Sequence, residues 1–183
     1  HLQNWVRQRL AEKGMQEYDD AALLQVSGDA SFRHYYRARA GSSSYIAVDA
    51  PPQQEDSRPF VSMARLLFRH GLYAPVVYDV DYDLGFMLLS DLGDDLYSAA
   101  LVDEAEADRL YGQAFQSLLR IQQIDPAAAT VPSYDRAALL GEMALFPEWF
   151  VTQQLGLDLT ESERILLEGI FELLITNSLS QPQ

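Results

Sequence analysis

No cysteine occurs among the 183 residues, so disulfides and thiolate metal sites are excluded and a reducing, cytoplasmic setting is expected. Histidine is scarce as well, and His1, His34 and His70 form no i, i+4 pair of the kind that holds zinc. Lysine is scarcer still. Lys13 is the single example, so arginine supplies nearly all the positive charge in a chain whose formal net charge is -14. Nothing in that balance resembles the basic stripe a nucleic acid needs, and no nucleic-acid partner is expected. No apolar run is long enough to cross a bilayer, so no membrane partner is expected either. What remains is a globular composition, 48% hydrophobic and 11% aromatic, enough to core one medium domain or two small lobes.

The order of elements follows from periodicity. Residues 2 to 13 place Leu2, Trp5, Val6, Arg9 and Leu10 near one helical face, with Gly14 as the stop. Three extended segments are expected at 22 to 27, 31 to 40 and 44 to 49, the last two separated by "GSSS". The stretch 57 to 70 reads as a helix with Ser57 as cap, Pro59 in its first turn and Gly71 after its end. Strands are expected at 76 to 81 and 84 to 90. Beyond Gly93 the pattern is helical. Asp103 with Glu106 opens a helix to about 123, with Leu110, Ala114, Phe115, Leu118 and Ile121 as its core stripe. A helix over 134 to 145 meets Pro147, which should end or kink it, and Thr160 with Glu163 opens a last helix to about 178. The fold class is therefore α+β: an antiparallel five-stranded lobe with one packed helix over residues 1–92, then the beginning of a helical lobe over 93–183. A ligand cleft is expected at such a boundary.

Chemistry concentrates in "VSGDASFRHYYRAR". Residues 27 to 31 contain nothing larger than Asp29, so backbone N–H groups could approach a phosphate. Arg33, Tyr35 and Arg37 then alternate along one strand face, and an arginine fork suits phosphate oxygens. Asp29 opposes that reading unless it bonds its own turn amides or a metal. The alternative is a surface hairpin with solvated arginines. A second stretch, "EMALFPEWFV", offers Glu142, Glu148 and Trp149, a carboxylate and aromatic set of the kind that holds sugars; the same aromatics could equally be core. The acidic runs "DLGDD", "VDEAEAD" and "ESE" read as solvated or capping charges, and no metal site is assigned.

The motifs "GDASFRHYYR", "YIAVDAPP", "EDSRPFV", "GFMLLSDLG" and "EMALFPEWF", in that order, resemble the aminoglycoside phosphotransferase family with its protein-kinase-like fold. Within it they are most similar to the bacterial N-acetylmuramate/N-acetylglucosamine anomeric kinases of cell-wall (peptidoglycan) recycling. The resemblance implies an ATP- and Mg2+-dependent transfer of phosphate to the anomeric hydroxyl of a small amino sugar. It implies that Gly28, Asp29, Ala30, Ser31 and Arg33 lie over the ATP phosphates. Tyr35 and Ala47 would line the roof of the adenine site, on the expectation that they point the same way. Leu89 would stand behind adenine, and the linker Ser90, Asp91 and Leu92 would meet the base edge.

Two departures from the family pattern accompany the resemblance. The third-strand lysine that pairs with phosphates in kinase folds is replaced by Asp49 when "IAVD" is aligned, leaving Arg33 or Arg37 as the cation, with Arg33 preferred. Nor is there an H-x-D-x-x-x-x-N loop with a following metal-binding aspartate, so no catalytic residue is assigned. The chain reads as the N-terminal portion of a longer kinase, inactive alone and lacking its C-terminal remainder as partner. Two other readings stay open: an antibiotic kinase of the same fold, and a non-catalytic nucleotide-binding module.

Overall fold

The computed structural model describes residues 1–14, 18–26, 31–125, 127 and 132–181. Gly28, Asp29 and Ala30, the core of the expected phosphate turn, lie outside the described residues. Two compact units are formed, residues 1–130 and residues 131–183.

The first unit begins with α1 (Leu2–Glu12), whose buried stripe Leu2, Trp5, Val6 and Leu10 follows the expected helical period. Five strands come next in the chain: β1 (Tyr18–Gln25), β2 (His34–Ala40), β3 (Ser43–Asp49), β4 (Val77–Asp81) and β5 (Phe86–Ser90). They form one antiparallel sheet in the order β1-β2-β3-β5-β4. Between β3 and β4 runs α2 (Arg58–Arg69). One sheet face packs Ala38, Ala47, Phe86 and Leu88 against the Trp5 side of α1; the other packs Val48, Met87 and Leu89 with Val61 of α2. Full burial of Val6, Leu10, Val48 and Leu88 contributes about 1.5–3 kcal/mol each. The α+β class and the antiparallel five-stranded sheet with following helices are as the sequence led one to expect.

Local details depart from expectation in instructive ways. Ser57 stands before α2 but makes no capping bond; the Asp56 carboxylate instead accepts from the Arg58 N–H at 3.0 Å. The turn before β5 needs Gly85. Its φ is +74°, and a Cβ there would stand 2.0 Å from the Ala50 carbonyl oxygen, a collision no side chain survives. After β5 come a short α3 (Tyr97–Ala100) that periodicity did not reveal, and α4 (Glu104–Gln122), capped by Asp103 as expected. Both belong to the first unit. Of the expected α4 core stripe only Leu110 is buried, and Ala114, Phe115, Leu118 and Ile121 are exposed.

In the second unit α5 (Arg136–Leu145), capped by Asp135, runs into a π-helical segment (Phe146–Gln154) and is followed by α6 (Glu161–Leu179) with the expected Thr160/Glu163 capping box. Pro147 lacks the N–H an α-helix would use there, and the chain answers by widening rather than stopping; the Thr152 hydroxyl donates to the Pro147 carbonyl at 3.0 Å. Arg136 pairs with Glu172 and so ties α5 to α6.

Candidate functional site

Strand register decides which residues can share a site. Ala40 pairs with Ser43 across a two-residue turn, so Tyr35 faces Val48 and Tyr36 faces Ala47. Directly paired residues point to the same side of a sheet. Tyr35 therefore packs on the α2 face with Ile46, Val48 and Leu89, while Ala47 lies on the α1 face with Trp5 and Leu88. The expectation that Tyr35 and Ala47 share a face is corrected. Asp49, in register with His34 and Phe86, alternates with Val48 and so falls on Ala47's side of the strand. Fully buried Val48 therefore lies on the α2 face beside Tyr35, and Asp49, which the alignment of "IAVD" puts in place of the third-strand lysine, lies on the other side.

Arg33 sits at the entrance to this face. Its guanidinium meets the Glu55 carboxylate at 3.1 Å and lies over the Phe60 ring, 5.5 Å from the centroid. Both partners belong to the approach and first turn of α2. Its N–H donates to the Ser31 hydroxyl oxygen at 3.2 Å, which draws the end of the small-residue turn against the arginine. The Nε of Arg33 is buried and meets no acceptor among the described residues. A buried charged donor left unpaired costs free energy, so this nitrogen favours an incoming anion.

Arg37, four residues along, is already satisfied. Its nitrogens donate to both Asp91 oxygens at 2.6 and 3.0 Å and to both Asp94 oxygens at 2.7 and 2.9 Å. The guanidinium holds the Asp91 carboxyl at about 2, well below its usual range, and lowers Asp94 as well. Asp91 also accepts from the Gly93 N–H at 3.0 Å, so its carboxylate is spent on fixing the linker to β2. Of the two candidate cations, Arg37 is engaged twice over and Arg33 retains an unmet donor. Leu89 is buried on the α2 face, next to Ser90, whose N–H donates to the Val76 carbonyl and whose hydroxyl accepts from the Val76 N–H. Leu92 is exposed.

In the second unit the expected sugar residues are not brought to one point. Glu142 accepts from the Tyr134 hydroxyl, a bond that raises the phenol's pKa. Trp149 is 65% exposed and is not core. Glu148 lines a cavity of about 280 Å³ with Thr152, Asp158, Arg164, Glu168 and Phe171. Sequence reading passed over Glu55, Arg164 and Glu168, and found no motif around Asp158. Glu55 lay inside a motif noted only for its resemblance, and its distance from Arg33 along the chain hid the pairing.

An antiparallel five-stranded sheet with α2 on one face, an acidic linker and then helices defines an α+β fold consistent with a kinase-like N-terminal lobe and the start of a helical one. The model of the phosphotransferase enzyme family matches residues 22–179, and the chain belongs to that family. It is 39% identical over 167 residues to the N-acetylmuramate/N-acetylglucosamine kinase of Pseudomonas putida, a match covering 91% of this chain and 49% of the relative. The enzyme of the same name from Pseudomonas aeruginosa is 40% identical over 171 residues, covering 93% and 50%. That of Neisseria meningitidis serogroup B is 31% identical over 185 residues, covering 100% and 53%. The chain spans about half the length of the curated relatives it matches.

Proposed function

We propose that this chain is the nucleotide-facing portion of an ATP-dependent amino-sugar kinase that phosphorylates the anomeric hydroxyl of N-acetylmuramate or N-acetylglucosamine in cell-wall recycling. The observation that carries the reading is Arg33: a half-buried guanidinium backed by Phe60, oriented by Glu55 and left with a buried Nε that has no acceptor among the described residues. A phosphate oxygen would supply the missing acceptor. Similarity to the amino-sugar kinases of three bacteria supports the substrate class.

In this reading Arg33 replaces the third-strand lysine, and Gly28, Asp29, Ala30 and Ser31 close over the phosphates. Tyr35 and Leu89 border the base on the α2 face, and the backbone of Ser90 and Leu92 meets its edge. Asp91 acts at one remove, through Arg37. Glu148, on the wall of the second unit's cavity, supplies a hydroxyl acceptor for the sugar, while Glu142, held by Tyr134, and Trp149 do not line that cavity. ATP brings the phosphoryl group. Among the described residues no group of three carboxylate or imidazole side chains could hold a metal, so Mg2+ is proposed to arrive with the nucleotide and no residue is assigned to it.

Titration with a fluorescent ATP analogue tests the central residue. Arg33→Ala should weaken binding by about 1–3 kcal/mol, the range for a lost charged hydrogen bond. Unchanged affinity would remove Arg33 from the role. For the substrate, the full-length protein is assayed with ATP and magnesium against both free sugars and an aminoglycoside; turnover of the antibiotic alone would overturn the sugar assignment.

A further inference from the structure

The strongest feature outside that site is a groove between α2 and β4. From Ser57 to Tyr78 the chain carries no carboxylate at all, although the protein as a whole has 27 acidic residues against 13 basic ones. The same stretch holds Arg58, Arg65 and Arg69. All three line a groove of about 660 Å³ whose floor includes Val61, Pro75 and Val77. Arg58 is shared with Asp56 and lies over Tyr82, but Arg65 and Arg69 form no ion pair with any described residue. Beside them Phe68 is 53% exposed, and Tyr73, at 87%, stands just past the end of α2. Arginine and large aromatics grouped around an apolar floor are the composition of energetically dominant interface positions.

We propose that this groove docks an extended acidic peptide segment of another protein, with an apolar side chain seated on the Val61–Val77 floor and carboxylates paired to Arg65 and Arg69. Charge complementarity argues for the occupant. In a strongly anionic molecule, a cationic groove attracts an acidic partner that the surface as a whole repels. Length argues for a peptide rather than a small anion: Arg58 to Arg69 spans about 16 Å of helix axis, roughly five residues of extended chain. Neither argument depends on the nucleotide reading.

The test uses the full chain and a fluorescein-labelled peptide of alternating glutamate and leucine with one central phenylalanine, followed by fluorescence anisotropy. Saturable binding is expected, weakening as salt is raised because the contacts are charge-assisted. It should fall at least about tenfold in an Arg65→Glu/Arg69→Glu double variant, as expected when like charges face each other across an interface. Circular dichroism and thermal melting verify that the variant is folded; should charge reversal perturb it, Arg65→Gln/Arg69→Gln takes its place. Equal affinity for a counterpart peptide with glutamine at every glutamate position, or for the folded variants, overturns the proposal. So does sedimentation showing a dimer that the double variant abolishes, which assigns the groove to a second copy. Displacement of the peptide by millimolar inorganic phosphate at constant ionic strength overturns it in favour of a small-anion site.

Discussion

The two ends of the sheet are held in opposite ways. At the linker end, Arg37 binds two carboxylates through four hydrogen bonds, and the Asp91 side chain, 7% exposed, is sealed into the pair while Asp94, at 73%, closes it from outside. At the turn end, Arg33 has one carboxylate, one ring and a buried nitrogen with no acceptor among the described residues. The first arrangement is complete and can only hold. The second is incomplete and can take something up. Charge alone does not make an arginine available for binding; what decides is how many of its donors the fold has already used.

The contrast can be broken at its most rigid point. Gly85 and Ala50 pack backbone to backbone at the turn end, so Gly85→Ala combines a positive-φ penalty with a backbone collision. A loss of about 3 kcal/mol or more is expected in denaturant unfolding. A loss below 1 kcal/mol would show that the turn end yields and that the Arg33 geometry is not enforced by the sheet.

Next in size is Arg37→Met, which strands the enclosed Asp91 carboxylate without its partner. Tm should drop by several degrees, and Arg37→Lys should recover only part of it, because an ammonium cannot reproduce the bidentate fork. Full recovery by lysine would reduce the clamp to simple charge.

The smallest effect is the acid limb. Asp91 has its pKa lowered from an ordinary 3.8 to about 2 by Arg37. The folded form therefore binds its proton less readily than the unfolded one. The stabilisation is complete above about pH 4 and is lost as pH falls through about 2. Asp91→Asn should flatten stability across that window relative to the parent chain, whereas parallel profiles would deny the linkage.

Most of the fold was legible from local pattern. The period of α1, the breaks at Gly14 and Gly71, the Asp103 cap and the Thr160/Glu163 box are signals in contiguous residues, and each stands in the structure. Facing was not legible. A three-residue connection between β2 and β3 would pair Ala40 with Ser44 and put Tyr35 and Ala47 on one side; the actual two-residue turn pairs Ala40 with Ser43 and puts them on opposite sides. One residue of turn length put Ala47 and Asp49 on the side of the sheet opposite Tyr35 and Val48 on the same side as it. The phosphate turn expected at Gly28, Asp29 and Ala30 lies outside the described residues. Pro147 announced a disturbance, but that it takes the form of a π-helical widening, with the Thr152 hydroxyl donating to the Pro147 carbonyl, is seen only in the structure.

The amino-acid sequence by itself determined the elements, their order and the arginine-rich, lysine-poor character of the cationic groups, because helix period, strand alternation and capping act within a few neighbouring residues. Only the tertiary structure decided that Arg37 is spent and Arg33 is not. That difference rests on carboxylates far along the chain, at Asp91 and Asp94 for one and at Glu55 for the other, and such pairings exist only once the sheet has closed.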